Sequence, residues 1–375
     1  MSQIYKAVII RLFPNKAQSR KLWENAGAAR WIWNWGLSVN NDLYAKEKRI
    51  FSVYDLRREF VRVRSSHQWL KEISQSALVN TLRDLDRAYK NFYSRLKAGL
   101  KSGHPKFKAK WLCVPSFYAR SERVYIDSQG RIYLEKIGHV RCKSKADLQN
   151  VRFYNVRIKF EAGKWLLKCA VKTEAVIQNQ HLRIVNMGID LGVKVLAVLS
   201  CGGRKRVFRN INRHHKLRRL NRQLKHHQRI LARKKKGSRN RLKERIKVQK
   251  IYGKIKRIRH DYVHQTTRAI VDMKPQAIVL EDLNIAGMMK NKHLAKSIAE
   301  QNLYLFRELL ERKAQESGIT VVYADRFYPS SKTCSRCGYV KTELLLSERT
   351  YKCPECGLII DRDFNAARNL EKLAK

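Results

Sequence analysis

Apolar and polar residues change their spacing several times along this chain, and each change marks an architectural boundary. Residues 5–12 read as a strand, stopped by Phe13-Pro14-Asn15-Lys16, after which apolar positions recur at helical spacing to about residue 100. The clearest helix follows Ser76, a candidate N-cap. It sets Leu78, Leu82, Leu85, Tyr89, Phe92 and Leu96 on one stripe, with Arg83, Arg87 and Lys90 opposite. The aromatic run Trp31-Ile32-Trp33-Asn34-Trp35 could stack bases, but on a predicted helix it reads better as core packing.

From Ser116 to Lys172 the pattern becomes short alternating segments at 124–126, 131–134, 156–160 and 165–171. With the N-terminal strand they predict a small antiparallel barrel into which the helical region is inserted, and 173–183 reads as a linker. A second architecture starts at Ile184. Strands are expected at 184–191, 194–200 and 204–209, followed by a long helical stretch and a buried strand at 277–281. A helix at 297–317, a strand at 319–324 and a final helix from Asn365 complete it. Three strands, helix, strand, helix, strand, helix is the element order of an RNase H-like fold.

Charge narrows the function. With 81 Lys and Arg against 31 Asp and Glu, the formal net charge is +50, so the expected partner is a polyanion, with nucleic acid foremost. No apolar run approaches the roughly 20 residues of a membrane span, and the N-terminus lacks a secretory pattern. No membrane partner and a cytoplasmic location are therefore expected.

The cations concentrate between Arg204 and Arg259, where Glu244 is the one acid. Leu217, Leu220, Leu224 and Leu231, then Leu242, Ile246, Ile251, Ile255 and Ile258, keep an apolar period and predict two antiparallel amphipathic helices. Arg218, Arg219, Arg222, Lys225, Arg229 and Arg233, with Lys234, Lys235 and Lys236 beyond them, are candidate phosphate contacts.

Cys334-Ser335-Arg336-Cys337-Gly338 and Cys353-Pro354-Glu355-Cys356-Gly357 form two Cys-x-x-Cys-Gly knuckles. Their symmetry and spacing fit a structural four-thiolate zinc site, a zinc ribbon lying before the last helix. Two disulfides are the competing reading, which the intracellular character of the chain disfavours. Cys113, Cys142, Cys169 and Cys201 stand alone and read as small buried hydrophobes.

Three acids stand where the fold order would gather them. Asp190 lies within the first apolar strand of the second architecture, Glu281 ends a strand, and Asp363 opens the last helix, whose Ala366 and Ala367 permit close approach to the sheet. Carboxylates converging in this way can hold two Mg²⁺ ions roughly 3.5–4 Å apart for phosphodiester hydrolysis. Asp361 could replace Asp363 as ligand or act as a cap. Asp282 is expected to face away from Glu281, and Asp325 to cap a strand end.

Together these features resemble the TnpB family, nucleases of bacterial and archaeal insertion sequences related to type V CRISPR effectors. The resemblance rests on Arg11-Leu12-Phe13-Pro14-Asn15-Lys16, Ala29-Arg30 with Trp33-Asn34, and Leu85-Asp86-Arg87-Ala88-Tyr89 with Asn91-Phe92. Further along it rests on Pro105-Lys106-Phe107-Lys108, Gly188-Ile189-Asp190-Leu191-Gly192, Glu281-Asp282-Leu283, the cysteine pairs, and Asp361-Arg362-Asp363 with Asn365-Ala366-Ala367.

The resemblance implies a multidomain α+β protein. An oligonucleotide-binding wedge β-barrel would comprise 1–14 and 102–180, and a helical recognition region 15–101. A RuvC-like, RNase H-like nuclease domain would comprise 181–328 and 358–375, with a basic helical hairpin at 212–270 and an inserted zinc ribbon at 329–357. It further implies an RNA-guided DNA endonuclease of a transposable element. Such an enzyme carries a guide RNA from the transposon end, one protein copy per guide RNA, and cleaves double-stranded target DNA beside a short transposon-adjacent motif in the bacterial or archaeal nucleoid. Asp190, Glu281 and Asp363 would be its magnesium ligands and Cys334, Cys337, Cys353 and Cys356 its zinc ligands. The competing readings are a guided non-cleaving repressor, a strand-transferring transposase, a stand-alone zinc-ribbon binder and an unguided junction nuclease. A non-cleaving relative would be expected to lack one or more of the three acids, all of which are present.

Overall fold

The computed structural model describes residues 3–144, 148, 151–174, 185–345 and 347–374. The chain forms two units, Met1–Glu174 with Lys234–Gln249, and Ala175–Arg233 with Lys250–Lys375. The first begins with strand β1 (Gln3–Phe13) and continues into helices α1 (Lys16–Glu47), α2 (Val53–Ser66), α3 (Gln68–Lys71) and α4 (Gln75–Lys97). Pro14 ends the strand, and Asn15 starts α1 by a capping box. Its Oδ1 accepts from the Gln18 amide at 2.8 Å, while the Gln18 Oε1 accepts from the Asn15 amide at 3.1 Å.

On α4, Leu78, Leu82 and Leu85 are fully buried and Tyr89 nearly so, whereas Leu96 is exposed because the helix runs past the core it packs on. The residue before the helix is Ser74, not Ser76. Its hydroxyl donates to Glu135 at 3.1 Å instead of capping the helix. The tryptophans pack as expected. Trp33 is buried and its Nε1 donates to the Lys106 carbonyl at 3.0 Å, with Trp31 and Trp35 against the same core.

Strands β2 (Ser116–Tyr118), β3 (Tyr125–Ile126), β4 (Arg131–Leu134), β5 (Gly138–Lys143), β6 (Phe153–Glu161) and β7 (Lys164–Glu174) join β1 in an antiparallel sheet of order β2-β6-β7-β1-β5-β4-β3. Since β1 lies between β7 and β5, the helices are an insertion into this sheet. The ladder is open, with no pairing of β2 to β3 among the described residues. The expected linker falls mostly outside the described residues, except that 173–174 finish β7.

The second unit is built on β8 (Met187–Leu191), β9 (Val195–Cys201) and β10 (Arg204–Arg209), an antiparallel meander. Helices α5 (His215–Arg233) and α6 (Arg239–Val271) follow. The first part of α6, to Gln249, groups with the other unit. Leu217, Leu220 and Leu224 are buried on α5, but on α6 Leu242 is exposed and Val248 is buried instead.

Strand β11 (Ala277–Glu281) pairs parallel with β8 and with β12 (Thr320–Ala324), completing a five-stranded sheet of order β10-β9-β8-β11-β12. Between β11 and β12 lie α7 (Ile285–Met288), α8 (Ala295–Gln301) and α9 (Leu303–Glu316). The single helix expected over 297–317 is thus two, parted at Asn302 with φ 55°. Gln301, just before the break, is buried, and its amide nitrogen donates to the carbonyls of Gly192 at 3.3 Å and Val193 at 2.9 Å. A hairpin of β13 (Thr350–Lys352) and β14 (Ile359–Asp361) precedes α10 (Arg362–Glu371).

Helix α10 lies directly on β8. A Cβ on Gly188 would sit 2.0 Å from the Ala367 carbonyl oxygen and 2.3 Å from the Glu371 nitrogen, and Ala366 and Ala367 are both buried. The far end of the helix is tied down by Glu371, which accepts from the buried Ser200 hydroxyl at 2.5 Å and from the Gly202 amide at 2.6 Å. Because the atoms that would clash are backbone, Gly188→Ala must separate helix from strand. Thermal unfolding should show a loss of at least about 3 kcal/mol, the upper end of ordinary overpacking costs, and an unchanged melting curve would refute the close contact.

Candidate active site and metal centre

The central strand β8 carries Asp190, β11 ends on Glu281, and α10 presents Asp363 from its first turn. All three line one cleft of about 610 Å³, together with Arg213, Arg349 and Arg362. Burial pushes the Asp190 carboxyl well above the usual carboxylate range, and the negative charges of Glu281 and Asp363 push it further. Burial also raises Glu281. The Ser330 hydroxyl, donating to its Oε1 at 2.5 Å, opposes that rise, and Asp363 adds to it. The Arg362 guanidinium opposes the rise at Asp190, and Arg349 approaches Asp363 to 3.9 Å. Asp190 and Glu281, held above their ordinary range with Asp363 beside them, form a half-buried carboxylate cluster that a divalent cation would relieve, and its all-oxygen donor set suits Mg²⁺.

The other acids have local tasks. Asp361 is the N-cap of α10, accepting from the Phe364 amide at 2.9 Å and pairing with Lys205 at 3.2 Å. The helix therefore starts at Arg362, earlier than the expected Asn365, because the cap lies upstream of the alanines. Asp282 turns to Arg326 at 2.5 Å and Arg307 at 3.5 Å. Asp325 follows β12 and accepts from the Phe327 amide at 2.8 Å.

The four knuckle cysteines converge, with ligand atoms all within 4.8 Å of one another, and no other group of this kind is found among the described residues. Their Sγ···Sγ separations of 3.6 Å (Cys334–Cys356) and 3.5 Å (Cys337–Cys353) are too long for disulfides. They are close to the roughly 3.8 Å edge of a tetrahedron with 2.3 Å zinc–sulfur bonds. Gly338 and Gly357, at φ 83° and 66°, close the knuckles in the left-handed region. Burial raises the Cys334 thiol, but the amides of Cys337 and Arg336 and the neighbouring thiols outweigh it and bring it down to about 6, which favours the ligating thiolate.

Of the cysteines outside the ribbon, Cys169 is buried and Cys142 and Cys201 pack partly against the two cores. Cys113 is half-buried along a cavity of the first unit.

Of the basic candidates, Arg218, Arg219, Arg222, Lys225, Arg229 and Arg233 are exposed along α5, opposite its buried leucines. Lys235 and Lys236 are exposed in the following turn, whereas Lys234 is half-buried. Sequence reasoning missed Ser330 and the pair Asn365 and Asn369, both buried. The asparagine spacing of one helical turn within an alanine-flanked helix was a readable sign of an inward polar face. Nothing in the sequence marked Ser330.

Three family profiles match. One described as "Probable transposase" covers 168–292, one described as "Cas12f1-like, TNB domain" covers 304–370, and one described as "Helix-turn-helix domain" covers 1–49. The last segment is here a strand followed by a single 32-residue helix. The chain is 28% identical to a Streptomyces pristinaespiralis protein named "Putative RNA-guided DNA endonuclease", over 99% of this chain and 89% of that one. Among solved structures it overlaps Cas12f1, in a complex with sgRNA and target DNA, across 99% of both chains at 16% identity and TM-score 0.39. It is 30% identical to the Escherichia coli K12 protein named "Putative RNA-guided DNA endonuclease InsQ", over 97% of this chain and 91% of that one. Identity of that extent, over nearly the whole of both chains, means that the chain belongs to the TnpB family.

Proposed function

We propose that this protein is an RNA-guided DNA endonuclease whose cutting centre is the cleft holding Asp190, Glu281 and Asp363. The observation that carries the reading is the convergence of these acids from β8, β11 and α10 on one cleft, where burial and neighbouring negative charge raise Asp190 and Glu281. The names of its relatives support guide RNA and DNA as its partners. In this reading the second unit is a RuvC-type nuclease domain carrying the zinc ribbon, and the first is the wedge and recognition region.

The three carboxylates would hold two Mg²⁺ ions, which when bound ionise water and neutralise the departing phosphodiester oxygen. Asp190 supplies the most buried charge, Glu281 is held in place by Ser330, and Asp363 is carried in by the docking of α10 on Gly188. The four knuckle thiols would hold one structural Zn²⁺. The exposed cations of α5 would track phosphates of guide or target, making binding strongly dependent on salt. One protein copy would carry one RNA from the transposon end, and cleavage would require a transposon-adjacent motif.

Sequencing the nucleic acid that copurifies with the protein tests the reading first. One abundant structured RNA with a variable 3′ segment is expected, and heterogeneous fragments would overturn the guided mechanism. Asp190→Asn should abolish cleavage while leaving RNA binding intact.

The same variant should also stabilise the cation-free protein at neutral pH. Folded Asp190 holds its proton to higher pH than the unfolded chain, so the stability it contributes is full below about pH 4. That contribution is lost as pH rises through the raised folded value. Melting curves of variant and parent should therefore converge near pH 4 and separate towards pH 7; curves that run parallel throughout would refute the electrostatic account. Cys353→Ser should lower bound zinc well below about one per chain and unfold the ribbon, as elemental analysis and proteolysis would report.

A further inference from the structure

A continuous hydrogen-bonded path, partly buried, joins the cysteine knuckle to Glu281. The Ser335 amide, next to Cys334, donates to the Asn365 Oδ1 at 2.9 Å, and the Asn365 Nδ2 donates to the Thr333 carbonyl at 2.6 Å. One turn further along α10, the Asn369 Nδ2 donates to the carbonyls of Thr333 at 2.6 Å and Ser330 at 2.7 Å. Ser330, itself buried, then donates through its hydroxyl to the Glu281 Oε1. The turn between is internally closed, since the Thr333 amide and hydroxyl both donate to the Pro329 carbonyl, at 3.0 and 2.9 Å.

Asn365 and Asn369 are almost fully buried, so a lost partner would leave an unsatisfied amide in the interior, at a cost of about 1–3 kcal/mol. The path therefore has no soft joint. If the knuckle opens, the segment from Ser330 to Ser335 loses its far anchor, and the hydroxyl that orients Glu281 moves with it.

We infer that Ser330 is a positioning residue through which the folded cysteine knuckle sets Glu281 for divalent-cation binding, so that the thiolate and carboxylate sites are energetically coupled. This rests on the proposed function of the carboxylate cleft. Filling one site raises the affinity of the other, and the effect is reciprocal. A ribbon that merely packs beside the cleft would leave the carboxylates' affinity unchanged.

The test is Mn²⁺ binding to the full chain followed by electron paramagnetic resonance, with Asp190→Asn subtracted to isolate the carboxylate site. In zinc-loaded protein, Ser330→Ala should weaken that Mn²⁺ binding about tenfold, within the usual range of such couplings. Ser330→Thr, which keeps the hydroxyl, should restore it, and the melting temperature of the ribbon should not follow the affinity. Removing zinc from the parent should give a similar loss, and removing it from Ser330→Ala should add little, because one path carries both effects.

Unchanged Mn²⁺ affinity in Ser330→Ala would overturn the inference while leaving the cutting centre intact. So would losses that add in full on combining the variant with zinc removal. Should the zinc-free chain unfold, the Ala and Thr variants in zinc-loaded protein decide alone. Mn²⁺ binding that Asp190→Asn does not alter would overturn the proposed function and this inference together.

Discussion

The contact of α10 with β8 at Gly188 is the constraint on which the second unit depends. A strand in the middle of a five-stranded sheet ordinarily presents side chains to its covering helix, at a separation set by their bulk. Here the strand offers a bare backbone position and the helix offers Ala366 and Ala367, so main chain meets main chain. That proximity brings Asp363 to the cleft occupied by Asp190, and it lets one short helix act on three neighbours at once. Its first turn serves the cleft, its asparagine face holds the ribbon entry, and Glu371 fastens β9.

Much of this was legible because it is written in local pattern. The strands β8, β9, β11 and β12 each show an apolar run bounded by turn residues, and Gly202-Gly203 marks the turn into the largely cationic β10. The knuckles are visible because thiolate geometry demands a fixed spacing, and the three acids because Asp190 interrupts an apolar strand, Glu281 ends one and Asp363 opens a helix. What stayed hidden depends on contacts remote in sequence. The break at Asn302 could not be read from a helical period that continues through it. The reason a partner exists for Gln301 is the pair of carbonyls at Gly192 and Val193, more than a hundred residues earlier. Leu242 fails its predicted stripe for a similar reason, since helical periodicity names a face but not where along the helix that face meets a core.

Electrostatics divides the second unit into two regimes. Along α5 the cations are exposed and spaced by solvent, so their mutual repulsion is screened and their field is available to a polyanion. In the cleft a few carboxylates are partly withdrawn from water, where the same Coulomb interaction is far less screened. A chain carrying +50 thus keeps its most strained charges negative and enclosed. The exposed cations of α5 set the field that a polyanion would meet, while Asp190, Glu281 and Asp363 are drawn together in one cleft.

The order of the three acids along the chain also governs when the cleft can be completed. Asp190 and Glu281 emerge from the ribosome well before Asp363, with the whole ribbon translated between them. A nascent or truncated product ending before Arg362 would already display the cationic face of α5, yet it would lack the third carboxylate and the helix that covers Gly188. Synthesis itself thereby sets an order: the cationic helix is made before the three-acid cleft can be closed.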